Sequence, residues 1–249
     1  MLRDSLTFID RGLRHSVRSV DALLVAVVLP VVVLLLFVYV FGGAITVGTQ
    51  YLDYVVPGII VLCAGYGAAG TSVGVNTDMT TGVIDRFRSL PIAASAVLAG
   101  HVVASVARNV VSTSLVLVVA LLIGFRPAGG PIAWLGVAGV LLLFMTGISW
   151  LAACFGLLAR RPETAGAFSF VVMFLPYLSS AFVPTGTMPA ALRGIADNQP
   201  VTPVIETLRG LMLGGPVGDH GTRALLWCTG FVVVGVVGAA FLFRRRTAP

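Results

Sequence analysis

The sequence predicts an all-α integral membrane protein. Six transmembrane helices are preceded by an amphipathic N-terminal interface helix, with a short cytoplasmic helix between the second and third spans and an outer helical cap before the last. Three observations carry that prediction. Of the 249 residues, 57% are apolar and 10% charged, and the mean hydropathy is +1.01; a soluble domain of this size needs far more charge to cover its surface. Six apolar runs approach the ~20 residues a helix needs to cross the hydrocarbon. The arginines, finally, divide unequally among the segments joining those runs.

Residues 1–21 come first. Leu2, Leu6, Ile9, Leu13, Val17, Val20 and Leu24 recur every three or four positions, while Asp4, Thr7, Asp10, Arg11, Arg14 and Arg18 take the other side. Such a helix lies in the headgroup layer, as a surface anchor or as a lever against a partner. The spans follow at 22–41, 54–75, 97–123, 132–158, 165–183 and 224–243. The first is too long for the core of a secretory signal and further spans follow it, so it is expected to be retained. The fourth contains no charge. The third contains Arg108, expected to lie near enough the inner end to snorkel into the headgroups, and the fifth contains Pro176.

Two connecting segments are longer than turns. Residues 76–96 read NTDMTTGVIDRFRSLPIAASA. Asp78 or Thr80 can cap a short helix there, with Val83, Phe87 and Leu90 on one face and Asp85, Arg86 and Arg88 elsewhere. Pro91 ends it. One aromatic among several charges suits docking to another protein; a re-entry lying on the lipid explains the same pattern. Residues 184–223 hold the apolar pieces PAALRGIA and VTPVIETLRGLML, too short to span. They fit a helical cap or a re-entrant hairpin, tolerable at membrane depth only where protein covers the backbone. Glu206 and Arg209 are three apart and can pair, a contact of small worth if exposed.

Within the spans, Gly70 with Gly74, and Gly235 with Ala239, are spaced for close helix contact. Phe170, Phe174 and Tyr177 form an aromatic stripe, suited to core or lipid contact or to lining a path for flat apolar compounds.

Placing the N-terminus inside puts Arg3, Arg11, Arg14, Arg18, Arg86, Arg88, Arg108, Arg160, Arg161, Arg244, Arg245 and Arg246 on the inner side. Arg126, Arg193, Arg209 and Arg223 fall outside, offset by Asp53, Asp197, Glu206 and Asp219. Both termini are therefore expected in the cytoplasm of a multi-pass protein of a bacterial plasma membrane.

The same residues exclude much chemistry. Every basic residue is arginine and lysine is absent, so there is no phosphate-loop lysine, no Schiff-base lysine and no Ser-Lys dyad. Cys63, Cys154 and Cys228 each sit in an apolar run, and His15, His101 and His220 are scattered. No metal or cofactor is expected in this chain, and no nucleic-acid partner.

The runs DMTTGVIDRFRSLPI, VLAGHVVASVARNVV, LLIGFRP, FVPTGTMPAALRGIADNQPVTPVIETLRGLM and FRRR resemble the membrane subunit of ABC-2 type exporters, in particular the daunorubicin/doxorubicin-resistance permeases of actinobacteria. The likeness covers essentially the whole chain and is most specific at 82–91 and 198–209. It implies a six-helix subunit paired with a second permease copy or a paralogue, with two separate ATPase subunits, carrying the ATP and magnesium, docked on the cytoplasmic face. It also implies that the loop at 76–96 is a coupling helix, with Asp78, Gly82, Asp85, Arg86, Phe87, Arg88, Leu90 and Pro91 as its contact residues. The N-terminal helix resembles the family's interface helix. Residues 184–213 resemble its outer cap, marked by Asn198, Pro200, Glu206 and Arg209. His101 departs from the pattern, which has an arginine or lysine after the glycine.

The function expected is therefore that of a permease subunit exporting a hydrophobic or amphipathic compound, such as a drug, antibiotic or lipid, without an ATP site of its own. A secondary transporter or channel is the rival, but its coupling ions need ionisable residues deep in the spans. An intramembrane enzyme would need HExxH, a GxSxG with a placed histidine, or paired carboxylates.

Overall fold

The computed structural model describes residues 20–81 and 94–247. Residues 1–19 of the interface helix expected at 1–21, and residues 82–93 of the inner loop, lie outside the described residues. Among those described, all regular structure is helical. Helix α1 spans Val20–Leu35 and runs on as a π-helical turn, Leu36–Phe41. Then come α2 (Tyr51–Thr80), α3 (Ala94–Leu122), α4 (Pro131–Leu158) and α5 (Pro162–Phe174), the last tightening into a 3-10 turn at Leu175–Leu178. A short 3-10 turn, Thr185–Thr187, leads to α6 (Ala190–Asn198), α7 (Val201–Leu213) and α8 (His220–Thr247).

Four of these helices, α2, α3, α4 and α8, are long and apolar enough to cross a membrane, and a shorter apolar helix occupies Val27–Phe41. The expected fifth span is not one continuous α-helix. Pro162 opens α5 at its first position, where a missing N–H costs nothing. Pro176 then stops the regular ladder, since a proline ring has no N–H to donate and crowds the carbonyl a turn before it. The chain tightens into the 3-10 turn, and Ser179 closes it by donating both its backbone N–H and its hydroxyl to Pro176 O.

The bundle is built around α2, the most buried of the long helices, while α8 is the most exposed to its surroundings. Val55, Ile59, Ile60, Leu62 and Ala64 of α2 are buried against α3, α4, α5 and α7. α7 is inserted among the long helices: Val204, Ile205, Leu208 and Met212 are fully buried against α2, α4 and α8. Both its ends are tied. Thr202 Oγ1 donates to Ala196 O at 2.6 Å, and the N–H groups of Ala128 and Gly129 donate to Met212 O. Gly214, at φ +70°, supplies the left-handed residue that ends α7. A second small core joins Val75, Leu98, Ala153, Leu157, Ala239 and Phe243 at the arginine-rich end.

The two small-residue motifs fare differently. A Cβ at Gly235 would come 2.5 Å from Trp150 Cβ, and Ala239 is fully buried, so this pair does bring α8 onto α4. Gly70 faces open space with nothing within 4 Å. The close approaches of α2 fall instead at Gly58, Gly65 and Gly67, where Ala181, Val172 and Asn109 press on its backbone.

Candidate functional site

Polar and aromatic side chains collect in three places. At the arginine-rich end, the last turns of α2 meet the start of α3 and the turn between α4 and α5. Asn76, fully buried, donates through Nδ2 to Gly156 O at 3.0 Å and to Ala159 O at 2.7 Å, satisfying carbonyls left over at the end of α4. Arg246 of α8 donates to the same Ala159 O at 2.6 Å. Ser72 donates to Ala165 O at 3.0 Å, tying α2 to α5. One backbone carbonyl thus gathers the ends of α2, α4 and α8.

Asp78 does not cap a new helix, as the sequence suggested. It belongs to the last turns of α2, and its Oδ2 lies 2.7 Å from His101 Nε2 on α3. Thr80 is in α2 as well, its hydroxyl donating back to Asn76 O and Thr77 O. The histidine that departs from the family pattern is therefore the partner of Asp78, and its ring packs beside Gly74, where even a Cβ would meet it at an ordinary contact distance of 3.5 Å. The helices flanking the loop are clamped together where they enter it. Gly82, Asp85, Arg86, Phe87, Arg88, Leu90 and Pro91 lie outside the described residues.

The run GTSVG at 70–74 has the GxSxG spacing. Ser72 nevertheless sits inside a helix and is committed to Ala165 O, while His101 is committed to Asp78. No nucleophile–base pair forms between them.

The second gathering is at the opposite end, around Arg209 of α7. Its guanidinium donates to Tyr54 O through Nε and NH2 at 3.2 and 3.0 Å, to Ser180 O at 2.8 Å, and to Glu206. It also lies 3.8 Å from the centre of the Tyr54 ring. The Glu206–Arg209 pair is thus no exposed surface contact: the arginine is 12% exposed and the glutamate 26%. Pro200 sits at the start of α7, and Asn198 is exposed, donating to Gly194 O within α6. Between them Gln199, which sequence reasoning passed over, donates to Leu175 O and Leu178 O, the carbonyls freed by the Pro176 break. Tyr51 OH donates to Phe182 O at 2.9 Å. The α6–α7 hairpin is therefore bound to the first turn of α2 and to the segment after α5.

The third is a chain of rings. Phe170 and Phe174 are exposed on α5, and Tyr177 is partly so. Phe174 packs on Tyr177 at 6.2 Å between centroids, Tyr177 stacks on Phe182 at 4.9 Å, Phe182 stacks on Phe37 at 4.1 Å, and Phe37 contacts Phe41 at 5.4 Å. The stripe read from the sequence is one end of a ladder that crosses from α5 to α1. Spacing along one segment cannot reveal Phe182 or Phe37 as its continuation.

Mid-span, one expectation is corrected and one polar residue appears that the sequence reading passed over. Arg108 is the fifteenth of the 29 residues of α3, about 17 Å along the helix from Val97, too far from the inner end for snorkelling. It is half-buried instead. Asn109 beside it is fully buried against Gly67, and its carboxamide finds no hydrogen-bond partner among the described residues. An asparagine next to an arginine in the middle of an apolar span is the signal that could have marked Asn109.

Comparison with known proteins agrees with this architecture. Residues 4–213 match the profile of the ABC-2 type transporter family. A daunorubicin resistance ABC transporter permease protein of Streptomyces coeruleorubidus is 35% identical over 223 residues, covering 89% of this chain and 76% of its own length. A probable doxorubicin resistance ABC transporter permease protein of Mycobacterium tuberculosis is 25% identical over 240 residues, covering 96% of this chain and 87% of its own. The buried helical bundle, the apolar spans and these similarities lead to one assignment: the chain belongs to the ABC-2 type transporter family, as a membrane permease subunit.

Proposed function

We propose that two such permeases, this chain with a second copy or a paralogue, carry a hydrophobic or amphipathic compound out across the plasma membrane, powered by ATP and magnesium held on separate ATPase subunits. The observation that carries this reading is the family match over residues 4–213 in a chain without lysine, and so without a phosphate-loop lysine of its own. The names of the relatives concern resistance to daunorubicin and doxorubicin, and a drug, antibiotic or lipid of similar amphipathic character is the cargo class proposed here.

Both termini face the cytoplasm in this reading, and the chain crosses six times. α1 with its π-helical turn reaches about 30 Å, and α5 with its 3-10 turn about 28 Å, each near the thickness of the hydrocarbon. The loop from Asp78 to Pro91 docks on the ATPase. Because Asp78 is bonded to His101, a push on that loop reaches α2 and α3 together, and α2 passes it to α4, α5 and α7. The ring ladder from Phe174 to Phe37, with Phe170 exposed beside it on α5, lines the cargo path where two permeases meet, and the α6–α7 hairpin covers its outer end. Rocking of the two copies between inward- and outward-facing arrangements moves the cargo.

The test is transport into inverted membrane vesicles containing the permease and its ATPase, with daunorubicin as the probe. ATP-dependent accumulation is expected, and replacing Phe170, Phe174 and Tyr177 together by alanine should cut the rate by about tenfold while assembly persists. Accumulation that ignores ATP and follows an ion gradient would make the chain a secondary transporter. Unchanged transport by the triple variant would remove the stripe from the path.

A further inference from the structure

We infer that the arginine-rich end of α4 and α8 binds one anionic phospholipid of the inner leaflet, its phosphate held by Arg160, Arg161 and Arg245 and an acyl chain lying along α8. The hydrogen bond from Arg246 to Ala159 O fixes the last turn of α8 against the turn that follows α4. That contact brings together two segments that carry five arginines: Arg160 and Arg161 after α4, and Arg244, Arg245 and Arg246 on α8. Arg246 is committed to the carbonyl and Arg244 has an interaction of its own. Arg160, Arg161 and Arg245 are exposed and make no hydrogen bond or ion pair among the described residues. Glu163 is the acid nearest in sequence, in the first turn of α5. Like charges on adjoining segments repel unless an anion lies among them.

The lipid is chosen over other anions by what adjoins the arginines. Val233, Val237 and Phe241 are 54%, 62% and 64% exposed and follow one another at i, i+4 spacing along α8. The next position in that row is Arg245. From Val233 to Arg245 the helix rises about 18 Å, close to the depth of one leaflet. Leu158, 60% exposed, extends the apolar surface beside Arg160. An apolar lane one leaflet long that ends in guanidinium groups matches a phospholipid from chain to headgroup, whereas a free phosphate would use only its end. Basic pockets between helices at the cytoplasmic side are suited to anionic headgroups.

The inner leaflet follows from the orientation proposed above, but the binding assay in detergent does not depend on sidedness, so failure of either idea reads differently. The full-length chain, delipidated in detergent, is given equal amounts of palmitoyl-oleoyl phosphatidylglycerol and palmitoyl-oleoyl phosphatidylcholine, and the lipid retained is weighed by native mass spectrometry. Phosphatidylglycerol should be preferred by about tenfold or more, less so at high salt. The triple variant Arg160→Gln, Arg161→Gln, Arg245→Gln should bring the preference near parity at an unchanged thermal midpoint, because these side chains support no described contact. Phe241→Ala should weaken retention of both lipids. If the triple variant unfolds, Arg245→Gln alone should still lower the preference severalfold. Equal retention of the two lipids by the wild type overturns the proposal. So does displacement of phosphatidylglycerol by inorganic phosphate at matched ionic strength, which would make this a free-phosphate site. Unaltered lipid preference in the triple variant, with ATPase co-purification lost, would assign the arginines to an acidic protein surface instead.

Discussion

Arg209 shows how much a single residue can mean in this fold and how little of that meaning its own sequence neighbours carry. Its pairing with Glu206 was legible from the three-residue spacing. Its contacts with Tyr54 O and Ser180 O were not, because they join segments 155 and 29 positions away. A planar guanidinium can address two carbonyls, a carboxylate and a ring at once, which a lysine cannot. Arg209→Lys should therefore destabilise the protein by about 1.5–3 kcal/mol, the worth of a lost charge-assisted bond, and Arg209→Ala by about 3–5 kcal/mol, since Glu206 would be left half-buried without its partner. Thermal unfolding in detergent measures both, and a midpoint unmoved in Arg209→Ala would show that the carbonyls are satisfied equally well without it. Asn76 belongs to the same class: a buried amide whose partners at Gly156 and Ala159 are 80 and 83 positions away.

At the scale of the helix, hydropathy made four spans legible outright, because lipid demands an unbroken apolar stretch and little else in a sequence produces one. The fifth run was apolar enough, but composition cannot say where a proline ends the α-helix, and the structure breaks it after Phe174. The α6–α7 segment was legible as two short helices; that α7 would be buried among the long helices follows from contacts with α2, α4 and α8 that no local pattern contains. The loop between α2 and α3 is legible only as chemistry, one aromatic among charges. Its flanks are now defined, with Asp78 and His101 closing the gap between the two helices. If the loop couples to an ATPase, Phe87 is the large aromatic available as a buried anchor, and Asp85, Arg86 and Arg88 are rim charges. Truncating such an anchor costs on the order of 2 kcal/mol or more, a rim charge much less. Phe87→Ala should thus reduce ATPase co-purification about thirtyfold or uncouple hydrolysis from export, and Arg88→Ala should do so only weakly. Pull-down and export at matched membrane expression decide it. Full retention of both by Phe87→Ala would free the loop of this role.

For the molecule as a whole, the arginine distribution and the helix directions must agree. α2 and α3 are antiparallel and meet at Asp78 and His101; α4 ends beside the C-terminal end of α8 at Ala159 and Arg246. These contacts put the ends of α2, α4 and α8 and the start of α3 on one side. That side carries Arg160, Arg161 and Arg244 to Arg246, while the other carries Arg126, Arg193, Arg209 and Arg223, three of which lie in a segment with Asp197, Glu206 and Asp219. A bilayer retains the arginine excess on its cytoplasmic face, so the first side is expected inside. Single cysteines test this well here, because Cys63 and Cys228 are buried and Cys154 is half-buried, leaving little native background. Thr46, Thr81, Arg161 and Asp219 are all exposed. Cysteines at Thr46 and Asp219 should react with an impermeant thiol reagent added to intact cells, and those at Thr81 and Arg161 should react only after permeabilisation. The pair Arg161 and Asp219 also tests the broken fifth helix: labelling of both from one side would mean that α5 and its 3-10 turn enter the bilayer and return, leaving the number of crossings short of six.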